Sequence, residues 1–255
     1  MRDRLRAAPA RRRTGCLFLL GLVLATAGGR AVAAPEHFTA DDPLGRDLVR
    51  WTIDAPLERI GGSTGAVRGE ITVDRENLRA AGTTARFVVD VAGFATGIEL
   101  RDRHLREDFL AVGRFPQAVF TLERVTGASA DSLRPDVPTE LTVTGTLELR
   151  GVKRPLTVPI QLLYMRAAPP AAPPHLPAKP GNLLRLTAEF EVLLADFGIP
   201  RRGIILQVSD TAQVSVSVLA TDAAPDELAR ARAEAEASVR REMAPAEAQR
   251  GEGGS

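Results

Sequence analysis

Arg101, Asp102 and His104 stand within four positions of one another, and their types are the ones in this chain that invite chemistry. Aspartate with histidine is the pair for general acid–base work, and both can ligate metals. The spacing argues against either use. On a helix, residues two apart leave on different sides, so Asp102 and His104 cannot face one substrate together. The other histidines, His37 and His175, fall in stretches read as irregular, and no His-x-x-His or Glu-x-x-His ligand spacing occurs. No serine is read as sitting in a G-x-S-x-G nucleophile elbow. The expected task of His104 is to hydrogen-bond backbone or an aspartate and fix its helix. Catalytic residues and metal ligands are therefore both read as none.

The helix that must position these groups is read from residues 96–112. Thr96 precedes Glu99 by three, the spacing of a capping box. Ile98, Leu105, Phe109 and Val112 recur as one narrow apolar stripe. Glu99 precedes Arg103 by four and Asp102 precedes Arg106 by four, the favourable order for helix ion pairs. Gly113 and Pro116 end it. Alternating strands flank this short helix on both sides, so it is expected to cover an opening or edge that they leave.

Those strands carry the fold class. Residues 49–54, 64–74, 84–91, 118–125, 141–150, 156–162, 184–192 and 213–220 alternate apolar with polar at period two. Residues 57–60 are read as continuing the first strand after a bend. Gly69, in mid-strand, marks a kink or a close backbone approach. Pro155 and Pro159 share one parity and cannot donate to a ladder, so their strand is expected at a seam or locally unpaired. About eight strands with one helix predict an all-β chain, an antiparallel sheet closed into a barrel with the helix on its rim. The inward parities are Ile71, Val73, Phe87, Val89, Phe120, Leu122, Leu147, Leu149, Val158, Ile160, Leu186, Phe190 and Val216. They are aliphatic or Phe throughout, suited to a hydrocarbon chain rather than a sugar or nucleotide. The same rows could instead pack a dry core.

The ends read differently. Residues 1–34 combine a basic start, a short apolar run and Ala31-Val32-Ala33, the pattern of an export signal cut near Ala33 or Ala34. Arg12-Arg13 leaves the Sec and twin-arginine routes both open. That leader holds seven arginines, one aspartate and the sole cysteine, Cys16, leaving 26 basic and 31 acidic residues. A mature chain of net charge about −5 has no electrostatic drive toward nucleic acid. It also has no thiol and no span long enough to cross a membrane. Residues 35–45 are read as an irregular lead, 46–221 as the barrel domain and 222–255 as a charged helical and disordered tail. Within the domain, residues 166–182 form a proline-rich loop.

The segment T-G-x-x-x-R-D-x-H-L-x-x-x-x-F, followed by R-F-P-x-x-x-F, resembles the signature of the YceI-like family of bacterial periplasmic proteins. It is carried here by Thr96, Gly97, Arg101, Asp102, His104, Leu105, Phe109, Phe115, Pro116 and Phe120. GTLELRG (residues 145–151), continuing into Val152 and Lys153, and Asp196-Phe197-Gly198-Ile199 extend the match in family order. The resemblance implies an extended, eight-stranded lipocalin-like barrel that holds a long isoprenoid or other lipid-like chain. Three departures stand out: Phe109-Leu110-Ala111 replaces paired Phe followed by Asp, Leu193-Leu194 replaces Asn-Arg, and the early strand lacks a histidine. Fold transfers across them; ligand identity does not.

The expected function is an exported, non-catalytic carrier of a polyisoprenoid, quinone or fatty acyl chain, periplasmic or secreted. No cofactor is expected beyond that ligand. The thirteen inward residues would line the channel, and Arg101, Asp102 and His104 are the rim candidates for a headgroup. Two alternatives remain: a filled barrel docking a protein through its tail or proline-rich loop, and an enzyme acting on small lipids. Pairing into a homodimer is left open.

Overall fold

Alternation at period two builds a wall of antiparallel strands in the computed structural model, which describes residues 34–41, 47–167, 181–200 and 208–227, with positions 229, 230, 233, 234 and 237. The expected leader (Ala34 apart), most of the proline-rich loop and most of the expected helical tail lie outside the described residues. The strands are β1 (Glu36–Ala40), β2 (Leu48–Asp54), β3 (Arg59–Thr64), β4 (Val67–Val73) and β5 (Thr84–Asp90). Helix α1 (Glu99–His104) follows, then β6 (Gln117–Ala128), β7 (Thr139–Leu149), β8 (Val152–Met165), β9 (Leu183–Leu193) and β10 (Thr211–Thr221).

The sheet order is β1-β4-β5-β6-β7-β8-β9-β10-β2-β3, with a further pairing of β1 to β10. β1 and β2 both lie along β10, at Thr39↔Thr221 and from Ser217↔Leu48 onward. Their other sides face β4 and β3 in turn. Two of the eight staves are thus interrupted strands, β1 with β2 and β3 with β4, and the ring closes as an eight-stranded antiparallel barrel. Polar side chains hold both interruptions. Asp47 is buried between β1 and β2, and its Oδ1 accepts the Leu219 N–H of β10 at 2.8 Å, where no ladder partner is available. At the joint of β3 and β4, the Thr64 hydroxyl accepts from the Ala66 N–H at 3.1 Å.

Two expectations fail here. Residues 35–45 are not all irregular: β1 buries Phe38 and Ala40 completely and pairs with β4 over five residues. Burying one phenylalanine contributes roughly 1.5–3 kcal/mol, enough to hold so short a strand. Residues 57–60 do not continue the first strand. The chain reverses at residues 55–58, and β3 runs back along β2.

β7 and β8 match the alternation residue for residue. Leu141, Val143 and Leu147 face inward, while Thr144 meets Thr157 across the outer face and Thr146 donates to Glu123. Arg150 (φ 53°) and Gly151 (φ 74°) join them in a two-residue turn with both φ positive, the type I′ pattern that matches strand twist. β8 and β9 pair only over Ile160–Ala188 to Met165–Leu183. Beyond that point lie Pro155 and Pro159, and the wall is completed by a 3-10 turn, Leu194–Phe197, packed on β8. Phe197 and Ile199 are buried there, which gives the Asp-Phe-Gly-Ile motif a physical task.

One end of the barrel is solid. Phe38, Tyr164 and Leu184 are buried to 2% exposure or less, and Phe38 meets Tyr164 edge-on at 6.4 Å. Leu78 and Leu133, from the connections at that end, are buried with them. Arg75 lies 4.5 Å over the Tyr164 ring and pairs with Glu36, tying the connection after β4 to the start of β1. Burial pushes the Tyr164 hydroxyl above its ordinary value.

Candidate functional site

Beyond that plug the barrel is hollow, the space reaching down to Leu78 and Thr83. A cavity of about 760 Å³ runs between the inward faces. All thirteen residues expected on those faces line it: Ile71, Val73, Phe87, Val89, Phe120, Leu122, Leu147, Leu149, Val158, Ile160, Leu186, Phe190 and Val216. The alternative of a core filled throughout is therefore right only for the end around Phe38. The sequence reading did not single out Trp51, Phe94, Leu156 and Val214, which also line the cavity. Parity could have added Leu156 and Val214, both on strands already assigned. Trp51 packs edge-on against Phe94 at 6.4 Å, and Phe94 follows a 3-10 turn with no period to reveal it.

Glycines set the width. A Cβ at Gly69 would lie 2.3 Å from Phe87 Cδ1, and one at Gly145 would lie 2.3 Å from the Thr121 carbonyl and 2.6 Å from Phe120 Cζ. Phe87 and Phe120 are cross-strand partners, so these missing side chains let two rings lie flat against the wall. The close approach expected at Gly69 is present.

The mouth is built by the 96–116 segment and the β2–β3 turn. Ala95 exchanges backbone hydrogen bonds of 3.1 Å with Ser63, pinning the segment to the outer edge of β3. Gly97 takes φ 82°, a left-handed turn that suits glycine, and brings Thr96 back over the helix. Asp102 Oδ1 then accepts from the Thr96 N–H at 2.7 Å and from the Thr96 hydroxyl at 2.5 Å. These two bonds, the hydroxyl's first, hold the Asp102 carboxyl below the usual carboxylate range against the opposing effect of burial. The expected capping box is thus replaced. Thr96 reaches Asp102 rather than Glu99, Ile98 stands at the N-cap position with no side-chain cap, and Glu99 pairs loosely with Arg103 at 3.8 Å. The helix is also shorter than the stripe implied, passing at Leu105–Phe109 into a π turn.

The three rim candidates separate. Asp102 is buried beneath the turn and does not line the cavity; it positions the helix and is withdrawn as a headgroup contact. Arg101 and His104 do line the cavity. Arg101 Nη2 donates to both oxygens of Glu58, at 2.9 and 3.0 Å, joining α1 to the β2–β3 turn across the mouth. His104 makes no hydrogen bond or ion pair among the described residues, so its expected role as a tether to backbone or aspartate is overturned. The cavity wall, not a neighbour, is what it faces. Ile98 and Leu100 also line the mouth while remaining 50% and 57% exposed, against the expectation that Ile98 would be covered.

Apart from the Trp51 indole, the polar side chains in the lining among the described residues are Glu58, Thr83, Arg101 and His104. Thr83 precedes β5 at the far end, so polar groups other than a lone hydroxyl gather at the mouth. No group of three or more His, Cys, Asp or Glu among the described residues could hold a metal. Residues 61–65 read Gly-Gly-Ser-Thr-Gly and so spell G-x-S-x-G. The serine is nonetheless no elbow: Ser63 sits within β3, opposite Arg50 and bonded to Ala95. His37, expected in an irregular stretch, lies on β1 against the Thr72 hydroxyl at 3.2 Å. No helix among the described residues is long and apolar enough to cross a membrane.

Known proteins share this plan. The UPF0312 protein YE1254 of Yersinia enterocolitica is 31% identical over 150 residues, covering 56% of this chain and 71% of that relative. Protein YceI of Escherichia coli O157:H7 is 28% identical over 190 residues, or 71% and 86% of the two chains. Among solved structures, BcnA of Burkholderia cenocepacia superposes with a TM-score of 0.54 at 19% identity, covering 71% of this chain and all of that one. A polyisoprenoid binding domain from Saccharophagus degradans gives 0.54 at 14% identity, covering 73% and 98%. Residues 48–220 match the model of the YceI-like domain, and the chain belongs to that family.

Proposed function

We propose that this protein is an exported binding protein that holds one long apolar molecule, a polyisoprenoid, quinone or fatty acyl chain, in the barrel and does no chemistry on it. The observation that carries the reading is the cavity of about 760 Å³ with an almost wholly apolar lining. It falls within the range of ligand pockets, roughly 300–1,000 Å³. It is also about five times the ~150 Å³ that encloses a benzene in an engineered apolar cavity, which points to room for a chain on the order of 25–30 carbons. The polyisoprenoid binding named for the Saccharophagus domain supports the same class of ligand, on a shared fold. Periplasmic or secreted placement follows from the leader pattern of residues 1–34. The hollow interior disfavours a filled barrel acting only through its tail.

Native mass spectrometry of protein from its own host, before and after organic extraction, tests the reading. An extractable lipid-sized mass is expected. Added lipids should quench Trp51, the sole tryptophan, which lines the cavity. Each buried methylene contributes ~0.8 kcal/mol, so affinity should rise roughly fourfold per added methylene and level off once the chain fills the barrel. Ligand-free protein with no quenching at any chain length would end the proposal.

A further inference from the structure

We infer that the mouth selects ligands whose head is uncharged but hydrogen-bonding, a hydroxyl, carbonyl or amide, over the carboxylates and phosphates that share the same chain. The inference rests on the lipid-holding reading above and narrows it.

Arg101 and His104 are three apart on α1 and therefore share a face, which here is the cavity side. Arg101 invites an anion, but its charge is already met. Both Glu58 oxygens lie within 3.0 Å of its Nη2, and Glu58 itself lines the cavity. An incoming carboxylate or phosphate would have to displace Glu58 or sit beside it, within walls of Ile98, Leu100, Leu105 and Phe109. Stripping water from a full charge without a free counter-ion is far costlier than stripping it from a hydroxyl. Arg103, the next cation along the helix, is exposed, pairs with Glu99 and does not line the cavity.

His104 is what remains. A neutral imidazole offers one donor and one acceptor, and neither is used within the described residues. A hydroxyl can satisfy both, an amide likewise, and a carbonyl can take the donor. The chain thus lies among aliphatic and aromatic walls while its head meets His104, which has no side-chain partner of its own among the described residues. Asp102, turned away and bonded to Thr96, keeps α1 in the orientation that presents His104.

The test uses the full chain and four ligands with the same tail, oleyl alcohol, oleamide, oleate and oleyl phosphate, titrated against Trp51 fluorescence with native mass spectrometry as the second readout. The alcohol and amide should bind about tenfold more tightly than the two anions. Glu58→Gln frees the Arg101 charge and should raise oleate and phosphate affinity about tenfold relative to the alcohol, erasing the preference. His104→Leu should lower alcohol and amide affinity about tenfold, and His104→Gln, which offers both a donor and an acceptor, should restore most of it. Thermal melts check that each variant folds. Anions binding as tightly as the alcohol, or a Glu58→Gln variant with unchanged preference, would overturn the selectivity and leave the lipid carrier standing. Failure of all four ligands to bind would overturn the carrier itself and the selectivity with it.

Discussion

A single carboxylate organises the mouth. Asp102 takes both the backbone and the hydroxyl of Thr96, and those bonds hold its carboxyl below the ordinary carboxylate value, helped by the nearby charges of Arg106 and Arg101. Because the folded form titrates lower than the unfolded one, the contribution to stability is complete above the unfolded value of about 4 and lost as pH falls through the folded value. Asp102→Asn should therefore be less stable than the parent at neutral pH, and urea titrations repeated at falling pH should show the two converging below about pH 4. A constant gap down to strong acid would show that the charge plays no part. The sequence offered Thr96 two acidic partners, and helix grammar favoured the nearer, Glu99. What spacing could not convey was the left-handed turn at Gly97, which swings Thr96 past Glu99 to Asp102. The freedom of His104 was hidden for a related reason, since an absent partner leaves no mark in sequence.

Among the elements, the long central strands were legible and the broken ones were not. β7 alternates over its eleven residues and β8 from Leu156 to Leu162, with threonines and valines on opposite faces through the middle of both strands. β1 offers only Phe38 and Ala40 as inward residues, too few for a period to register. The join between β1 and β2 depends on Asp47, whose buried side chain stands in for a missing ladder bond to Leu219. Asp47→Ala strands that N–H and should cost about 1–3 kcal/mol, read as a lower urea midpoint at unchanged slope. Arg79→Ala, which removes an exposed ion pair with Asp131, should cost no more than about 1 kcal/mol. If the two variants behave alike, the joint is not held by that carboxylate. Pro155 and Pro159 did announce the unpaired half of β8, because a missing donor can be read directly from residue type.

For the whole molecule, all thirteen residues that the sequence marked as inward line the cavity, but the sequence could not say whether those rows meet across the middle. Side-chain volumes along one strand do not fix the distance to the opposite wall; the stave count and the rings resting over Gly69 and Gly145 do. A barrel solid at one end and empty at the other should be measurably completed by its cargo. At a free ligand concentration a hundred times the dissociation constant, binding adds ~2.7 kcal/mol. For a chain of this size that corresponds to a rise in melting temperature of roughly 5–10 °C on reloading extracted protein, followed by calorimetry. No shift at saturation would mean that the space is not where the lipid goes.

The packing of Phe38, Tyr164 and Leu184 at one end makes the container blind. On the proposed function, a cargo threaded into it would go in tail first and leave head first, through the same aperture between α1 and the β2–β3 turn. Whatever membrane or protein hands the lipid over must therefore meet the same face as whatever receives it. Donor and acceptor would then have to take turns there, and on the proposed function the barrel would work as a shuttle rather than a conduit.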